Sequence, residues 1–568
     1  MLIQKYKYTS PYIASDIKKS YKWKERAKIN GGKFTRIVTI ISVTALLLGG
    51  CSQSNTKMNN AVNSNHSSSA KQELIVAIGG EPDEGFDPTT GWGRYGSPLF
   101  QSTLLKRDSD MSITGDLATN YEVSDDGLSW TVELREDVLF SDGEPLTASD
   151  VVFTFQQAKN SQSVLDLTNL VEVTASGDFE VTFQLATAQS TFVDLLASIG
   201  IVPEHAYNEE YSKQPIGSGP YKFVQWDRGQ QLIVAQNELY YGEQSPFTQL
   251  TFLFLAEDAA FAAAKAGTID IAAIPSSLSK QLVKGMRLEA IETVDNRGIM
   301  FPYVPSGTAT DDGFPIGNDV TSDLAIRQAI NVAIDRQLLV DGILEGYGSP
   351  AYSISDKLPW WNEATVVEDN KPELAQQILA NADWKDTNSD GILEKNGVEA
   401  RFNLLYPAGD EIRQSLALAV ADMIKPIGIA IDVQGKSWNE IGTAMHANAV
   451  LLGWGSLDPL EMYHVYSSQF AGVGYYNPGF YINESVDHYM KQALAATDEN
   501  AAIELWKKAQ WDGNTGLSTQ GDAPWAWLVN IHHLYLVNDK LDIGEQHIHP
   551  HGHGWPITSN IEQWKWME

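Results

Sequence analysis

One stretch of the chain decides its fold class: Phe140-Ser141-Asp142-Gly143-Glu144-Pro145-Leu146-Thr147-Ala148-Ser149-Asp150-Val151. A turn rich in Asp, Gly and Pro leads into Thr147, a residue type that favours helix N-caps, and apolar residues at helical spacing follow it. Polar and apolar residues alternate on either side of this stretch, in 130–135 and 180–185, as in half-exposed antiparallel strands. The sequence therefore predicts an α/β protein with mixed β-sheets.

The same mixture of elements continues toward both ends of the chain. Leu74-Ile75-Val76-Ala77-Ile78 is a continuous apolar run, typical of a strand buried on both faces. Apolar residues recur at helical spacing in 323–334 and 411–420. Because 568 residues exceed what one compact core holds, we expect several domains or two large lobes.

The composition excludes some classes of function. The chain has 72 Asp and Glu against 40 Lys and Arg, which gives a net charge of −32. A surface this acidic repels a polyanion, so nucleic acid is not expected as a partner. The chain has a single cysteine, which excludes internal disulfides and zinc or iron–sulfur sites built from several cysteines.

The N-terminal 50 residues differ from the rest in charge, with ten Lys or Arg against Asp16 and Glu25. They end in an apolar run, 37–48, that is too short to span a bilayer and fits a secretory signal. Leu48-Gly49-Gly50-Cys51 resembles a bacterial lipobox, in which the cysteine carries diacylglycerol. We therefore expect 1–50 to be a lipoprotein signal peptide and 51–72 to comprise the lipidated Cys51 and a flexible tether. The alternative is an ordinary signal peptide with a stray thiol.

Five segments resemble the family 5 solute-binding proteins of peptide and nickel ABC importers, in the family's order and spacing. They are the stretch 140–151; Val202-Pro203-Glu204-His205; Pro215-Ile216-Gly217-Ser218-Gly219-Pro220-Tyr221; Ile326-Arg327-Gln328-Ala329-Ile330 with Ile334-Asp335-Arg336; and 384–397. The likeness covers nearly all of 73–568. It implies a two-lobed fold like that of type II periplasmic binding proteins, with an inserted subdomain and a hinge of two crossing strands that lets the cleft close on a ligand.

The resemblance also implies boundaries and partners. Lobe I is expected in 73–110, 215–285 and 515–568, its inserted subdomain in 111–214, and lobe II in 286–514. The implied protein is a monomeric receptor, lipid-anchored outside the cytoplasm, that needs no cofactor and delivers its ligand to ABC permease subunits powered by a cytoplasmic ATPase. The sequence contains no H-E-x-x-H, P-loop or nucleophile-elbow motif, so no enzymatic activity is expected.

Two loops are candidate walls of the ligand cleft. The first, 86–96, places Arg94 between Trp92 and Tyr95, so the guanidinium could clamp a carboxylate while the rings stack on the ligand. The alternative is a surface loop with Trp92 anchored in the core. The second, 451–459, contains Trp454. In peptide binders of this family an Asp three residues after the Trp holds the peptide's amino terminus, but here Leu457 occupies that position and Asp458 follows it.

A third candidate wall, 472–479, contains Tyr475, Tyr476 and Asn477. It is similar to a stretch that contacts the organic chelator of the metal in nickel-type relatives. The alternative is a Gly-Pro turn with aromatic residues in the core.

Histidines could supply metal ligands, because imidazole suits nickel, copper and zinc. His464 is a candidate for a single protein ligand to a chelated metal, with a core or surface histidine as the alternative. His547, His549, His551 and His553 alternate and would project to one side of an extended chain. The alternative for them is a terminal loop pinned by neutral histidines, and the resemblance places the C-terminus in lobe I, away from the cleft.

Three hypotheses follow. The leading one is a receptor for nickel or a related transition metal in a small chelate, with a short peptide as the alternative ligand. The second is a secreted metal-dependent hydrolase that uses the C-terminal histidines. The third is a sensor or adhesion protein that binds a ligand without importing it.

Overall fold

The computed structural model describes residues 71–161, 163–552 and 554–567. The predicted signal peptide, the predicted lipidation of Cys51, nearly all of the predicted tether and His553 lie outside the described residues. From Gln72 onward the chain forms one compact unit. Among the described helices, none combines the length and the apolar character needed to cross a membrane.

The first of three large sheets contains the predicted buried strand at its centre. In spatial order its strands are Met286–Ile291, His533–Asn538, Ile271–Ala273, Glu73–Ala77, Gln249–Leu253, Gln231–Gln236 and Tyr221–Asp227. Glu73–Ala77 is parallel to both of its neighbours and the other pairings are antiparallel, so the sheet is mixed as predicted. Val76 and Ala77 pack into separate apolar clusters, which confirms that this strand is buried on both faces. We call this part of the molecule lobe I.

The second sheet forms the centre of lobe II. In spatial order its strands are Gly348–Pro350, Trp525–Ile531, Asn296–Met300, Ala449–Leu452, Arg401–Pro407 and Ala430–Lys436. The predicted helices are present as Leu324–Ala333 and Glu411–Ile424. Their apolar faces share one core with the sheet, in which Ile326 and Leu416 are fully buried beside Leu404. Periodicity thus predicted both helices, because burial of one face is what the pattern encodes.

The third sheet forms the inserted subdomain and is wholly antiparallel. Its strands are Ala118–Val123, Ser129–Leu134, Glu180–Leu185 and Leu170–Ala175. Helix Ala148–Asn160 packs on this sheet and begins at Thr147, as predicted. The Asp150 carboxylate accepts a hydrogen bond from the backbone N–H of Thr147 at 2.9 Å, which satisfies a donor at the helix start.

The remaining described elements are helices and two-stranded ladders. The other α-helices are Phe192–Leu196, Glu257–Lys265, Arg336–Ile343, Pro372–Asn381, Trp438–Ala444, Leu460–Tyr466, Glu484–Ala495 and Glu499–Gln510. The 3₁₀ helices are Pro88–Thr90, Glu204–Ala206, Tyr211–Lys213, Ser276–Leu278, Glu363–Thr365, Lys425–Ile427, Ser468–Phe470 and Pro556–Gln563. Two-stranded ladders pair Leu105–Arg107 with Ile113–Gly115, Thr308–Ala309 with Pro315–Ile316, Glu394–Lys395 with Val398–Glu399, and Leu541–Asp542 with Lys565–Trp566.

Two chain segments cross between the lobes and form the hinge. One crosses at 292–295 and the other at 532, and they are joined by a hydrogen bond from the N–H of Ile531 to the carbonyl of Asp295 at 2.9 Å.

The crossings lie beyond the predicted boundaries. Strand Met286–Ile291 was predicted in lobe II but belongs to the lobe I sheet. Strand Trp525–Ile531 was predicted in lobe I but belongs to the lobe II sheet. The reason is that a strand belongs to the sheet that pairs its backbone, and pairing partners are not visible in a local pattern.

Gly217 and Gly219 are packed closely against backbone. A Cβ added to Gly217 would lie 2.0 Å from the carbonyl oxygen of Phe100, and one added to Gly219 would lie 2.7 Å from that of Leu99. These contacts hold the segment before strand Tyr221–Asp227 against the loop that leads into the cleft.

Candidate ligand-binding site

A cavity of about 310 Å³ lies between lobe I, the inserted subdomain and lobe II. We call it the inner cavity. Six of the predicted ligand residues line it: Arg94, Tyr95, Trp454, Asp458, His464 and Tyr476. Its walls also include residues that sequence reasoning missed, among them Arg107, Asp166, Asp194 and Glu461.

The lobe I wall is the loop that contains Arg94. The loop starts from the short helix Pro88–Thr90, which Asp87 caps by accepting a hydrogen bond from the N–H of Thr89 at 2.9 Å. The Arg94 guanidinium carbon lies 4.3 Å from the centre of the Tyr95 ring, and its Nη2 donates to the Tyr95 hydroxyl at 3.1 Å. Arg94 is thereby pre-oriented as a donor for an anionic group in the cavity.

The lobe II wall is the loop that follows strand Ala449–Leu452. Glu461, in the first turn of helix Leu460–Tyr466, accepts hydrogen bonds from the N–H groups of Gly455 and Ser456, both at 3.0 Å. This carboxylate holds the loop after Trp454 in one conformation. By holding this loop, Glu461 positions Leu457 and Asp458 at the cavity wall. Glu461 lines the cavity as well.

Three rings form a stack along the lobe II wall. Tyr476 stacks on His464 with ring centres 4.6 Å apart and on Trp454 at 5.8 Å. The indole N–H of Trp454 is buried and donates to no atom of the described residues. Buried indole donors normally have a partner, so this N–H is a candidate ligand contact.

Polar contacts join the two sides of the cavity. Arg107 of lobe I donates to the carbonyl of Leu457 in lobe II at 2.8 Å, and it forms an ion pair with Asp194 of the subdomain. His464 of lobe II lies 3.5 Å from the carboxylate of Asp166 in the subdomain. The described conformation is therefore one in which the cleft is shut.

The carboxylates around the cavity differ in their pKa. Burial raises the pKa of Asp458 to about 6 and that of Glu461 to about 7, although hydrogen bonds from backbone N–H groups oppose the rise in both. Burial would also raise the pKa of Asp166, but hydrogen bonds from His464 and Thr168 outweigh it and lower that pKa to about 2. The surroundings of Asp458 and Glu461 thus compensate a negative charge only in part, and a cationic ligand would supply the missing compensation.

The described C-terminal histidines, His547, His549 and His551, lie at the hinge, so the expectation that this segment lies away from the cleft is wrong for them. His547 lines the inner cavity, and its Nδ1 lies 2.8 Å from the carbonyl oxygen of Ile548. His549 runs beside the first crossing, where its N–H donates to Glu292 and its carbonyl accepts from Val294, both at 2.9 Å. His551 pairs with Asp295. The tract reaches the cleft because the chain passes along the hinge before it returns to lobe I.

Among the described histidines of the tract, His547, His549 and His551 are not grouped so that three of them could share a metal. His549 Nδ1 lies 3.2 Å from His533 Nδ1, and His551 is bound to a carboxylate, so the rings have separate partners. Among the described residues, the one group of three or more side chains placed to share a metal is Asp386, Asp390 and Glu394, in an exposed hairpin. The histidines alternate as they would on one face of a strand, but the rings of His547, His549 and His551 each have a separate partner.

Three other predicted ligand residues do not line the inner cavity. Trp92 is a core anchor, packed edge-on against Phe86 with its N–H bonded to the carbonyl of Pro98 at 2.8 Å. Tyr475 faces Trp438, to whose carbonyl its hydroxyl donates at 2.9 Å.

Asn477, the third of these residues, is buried. Its amide bonds the backbone of Ser467 and Tyr481. Within 472–479, Asn477 is therefore a core residue of the turn, as in the alternative interpretation, whereas Tyr476 lines the cavity.

Some of the missed residues had a signal in the sequence. Glu461 follows Pro459 in the first turn of a helix, where a carboxylate is favoured and can turn back toward the preceding loop. Arg107, Asp166 and Asp194 had none, because they are brought to the cavity from separate segments of lobe I and the subdomain.

The two hinged lobes and the shut cavity between them define a bilobal binding protein. The model for the bacterial extracellular solute-binding proteins, family 5, matches residues 112–477. The chain belongs to this family, whose members are the substrate-binding components of ABC importers. These homologues are extracytoplasmic binding proteins and not enzymes.

Individual relatives agree with this assignment. Protein XP55 of Streptomyces lividans is 32% identical over 489 residues, which cover 83% of this chain and 86% of that protein. The structure of NikZ from Campylobacter jejuni with Ni(L-His) matches with a TM-score of 0.71 and 26% identity, over 87% of this chain and 99% of that one. AppA from Bacillus subtilis with a nonapeptide matches with a TM-score of 0.66 and 26% identity, over 88% and 100%. The two-lobed α/β fold is thus confirmed.

Proposed function

We propose that this receptor captures a transition metal, nickel above all, held in a small chelate of amino-acid type. The observation that carries the proposal is the pair of imidazoles in one cavity: His464 and His547 both line the inner cavity. The Nδ1 of His547 is engaged by a carbonyl oxygen, which leaves Nε2 as the nitrogen that can ligate a metal.

The charges of the cavity suit such a ligand. An amino-acid chelate presents carboxylate oxygens, for which Arg94 is the oriented donor, beside a cationic metal centre. Asp458 and Glu461 supply negative charge near that centre, and binding of a cation would offset the cost of their burial. The stack of Trp454, Tyr476 and His464 offers ring faces to the organic part of the chelate.

The size of the cavity and the comparisons support the same ligand class. A volume of about 310 Å³ is at the small end of ligand pockets, which hold roughly 300–1,000 Å³. NikZ, whose structure is similar at 26% identity, was solved with Ni(L-His).

Capture and delivery follow from closure of the cleft. The ligand contacts both lobes only in the shut form, so its higher affinity for that form drives closure. In this proposal the chain is anchored at the membrane through lipid on Cys51, acts as a monomer, and passes the ligand unchanged to its permease. The proposed lobe boundaries are the two hinge crossings.

Calorimetry with Ni²⁺ and L-histidine tests the proposal. We expect the complex to bind and expect His464→Ala to weaken it at least tenfold. His488→Ala is the matched control, because His488 is exposed on a helix outside the cavity. Absence of binding by Ni–histidine and by other amino-acid chelates would overturn the nickel proposal.

A short peptide is the second candidate ligand, and Asp458 favours it. Although Leu457 occupies the position at which peptide binders of the family place their anchor, Asp458 lines the cavity and is available to an ammonium group. Tight binding of metal-free di- or tripeptides, lost in Asp458→Asn, would select this candidate.

A further inference from the structure

Residues 547–551 form a third chain segment at the hinge, beside the two crossings. We call them the C-terminal strap. His549 makes a parallel bridge to Thr293 of the first crossing, through the two backbone hydrogen bonds at 2.9 Å described above. The chain belongs to lobe I on both sides of the strap, because Leu541 precedes it and Trp555 follows it, both in the lobe I core. The strap is therefore a loop of lobe I that lies along the hinge.

The strap also contacts the lobe II wall of the inner cavity. The N–H of His551 donates to the carbonyl oxygen of Gly455 at 2.7 Å. Gly455 directly follows Trp454, which lines the inner cavity. Gly455 has a φ of +152°, and an added Cβ would lie 2.6 Å from the carbonyl oxygen of Val294 in the first crossing. Glycine at this position lets the loop of Trp454 approach the hinge closely enough to meet the strap.

The backbone around Trp454 is held from three directions. Asn296, fully buried in the lobe II strand that follows the hinge, accepts a hydrogen bond from the N–H of Trp454 at 2.9 Å. Asn296 also donates its own N–H to the carbonyl oxygen of Trp454 at 3.0 Å. Glu461 accepts from the N–H of Gly455, and His551 donates to the carbonyl oxygen of Gly455. The direction in which the indole enters the cavity wall thus depends on the hinge, on helix Leu460–Tyr466 and on the strap.

The side chain of His551 fixes the place of its own N–H. Its Nδ1 pairs with the carboxylate of Asp295, the last residue of the first crossing, and Arg297 pairs with the same carboxylate. Burial would raise the pKa of Asp295, but the charge of Arg297 and the interactions with His551 and His533 outweigh it and hold that pKa well below its usual range. Asp295 is therefore a charged acceptor, and hydrogen bonds to such an acceptor are stronger than those between neutral groups.

We propose that His551 is a positioning residue for ligand binding. Its imidazole ties the strap to the hinge at Asp295, and its N–H holds Gly455 so that the Trp454 ring keeps its place in the cavity wall. Rotation about a hinge moves atoms least near its axis, so this contact does not require the cleft to be shut. The role does not depend on the proposed nickel ligand, because the same wall serves whichever ligand the cavity takes.

Hydrogen–deuterium exchange of the full chain without ligand tests this role. His551→Ala removes the imidazole and keeps the backbone N–H, so we expect the amides of 453–458 to exchange roughly fivefold faster or more. Helix Leu324–Ala333, which packs in a separate core of lobe II, should exchange as it does in the unaltered protein. His551→Asn places an amide nitrogen near the position of Nδ1 and should restore the exchange of 453–458 to within twofold.

His205→Ala is the matched control. His205 forms the same kind of pair with the carboxylate of Asp142, at 2.8 Å, in the inserted subdomain. Its removal should leave the exchange of 453–458 unchanged. Calorimetry with Ni²⁺ and L-histidine is the second readout. There His551→Ala should weaken binding roughly fivefold or more, and His551→Asn less than twofold.

Unchanged exchange of 453–458 in His551→Ala would overturn the positioning role. Faster exchange throughout lobe II, or a failure of His551→Asn to restore the loop, would show that His551 serves the fold as a whole and would overturn the role as well. Unchanged affinity for a bound Ni–histidine probe would do the same. If Ni–histidine does not bind the unaltered chain, the proposed function fails, and the exchange of 453–458 still decides the role of His551.

Discussion

Arg107 donates a hydrogen bond across the cleft to the carbonyl oxygen of Leu457, at 2.8 Å. The family resemblance implies a carboxylate side chain at position 457. The residue there is a leucine, and its backbone carbonyl accepts the hydrogen bond from the guanidinium. Because Arg107 belongs to lobe I and Leu457 to lobe II, this contact exists only when the cleft is shut. It therefore adds directly to the free-energy difference between the open and shut forms.

Loss of this contact should favour the open form. We expect Arg107→Ala to weaken Ni–histidine binding roughly 10- to 100-fold, because a hydrogen bond from a charged group is worth about 1.5–3 kcal/mol. Small-angle scattering of the ligand-free protein should give a larger radius of gyration. The control is Arg135→Ala, which breaks an exposed ion pair with Asp137. An unchanged affinity in Arg107→Ala would contradict the role of this contact.

Removal of ring faces from the cavity should reduce affinity without loss of the fold. Trp454→Ala removes one end of the aromatic stack, and Arg94→Ala removes the donor for the ligand's carboxylate. Each should raise the dissociation constant at least tenfold by calorimetry, with thermal unfolding little changed. Trp438→Ala is a matched control, since Trp438 is 41% exposed and does not line the cavity. Unaltered affinity in both variants would show that the ligand binds elsewhere.

The pKa of Glu461 predicts a dependence of stability on pH. Its pKa of about 7 lies above the unfolded value near 4.5, so the folded protein holds a proton that the unfolded chain has released between these values. The contribution of Glu461 to the free energy of unfolding is complete below about pH 4.5 and is lost as the pH rises through about 7.

Chemical denaturation of the ligand-free protein at pH 5 and pH 8 measures this effect. Glu461→Gln, which keeps the shape but cannot ionise, should lose less stability over this range than the unaltered protein. Affinity for a cationic ligand should change in the opposite direction, increasing with pH as Glu461 becomes charged. Identical pH profiles for Glu461→Gln and the unaltered protein would contradict the raised pKa.

Asn477 should affect stability rather than binding. Its side-chain amide makes three hydrogen bonds to backbone groups of Ser467 and Tyr481, and it is 2% exposed. Asn477→Ala would leave buried polar groups without partners, at roughly 1–3 kcal/mol each, so the melting temperature should fall by several degrees. The affinity of the folded fraction should stay within twofold. If Asn477→Ala lost much affinity while its melting temperature stayed unchanged, Asn477 would be a ligand contact and not a structural residue.

The lipobox predicts the location of the protein in the cell. Cys51→Ser removes the thiol that would carry the lipid, so the protein should appear in the medium or periplasm instead of the membrane fraction. Immunoblotting of cell fractions measures this, with Ser52→Ala as the control. Membrane retention of the Cys51→Ser protein would refute the lipid anchor.

Local patterns predicted the elements well. The strand at Glu180–Leu185, the helix that begins after Thr147 and the central buried strand were all readable, because each depends on the periodic burial of its own side chains. Arg94 and Trp454 were predicted as cleft residues for a similar reason, because each prediction depends only on residue types and spacing within one loop.

The sequence by itself determined the α/β class, the family and the loops that line the cleft, because these follow from residue spacing within short segments. Only the tertiary structure decided the rest. It assigned strand Trp525–Ile531 to lobe II, brought His547 to the cavity and joined Arg107 to Leu457, 350 residues away. The physical reason is that backbone pairing and cross-cleft contacts depend on two distant segments at once, and neither segment alone encodes its partner.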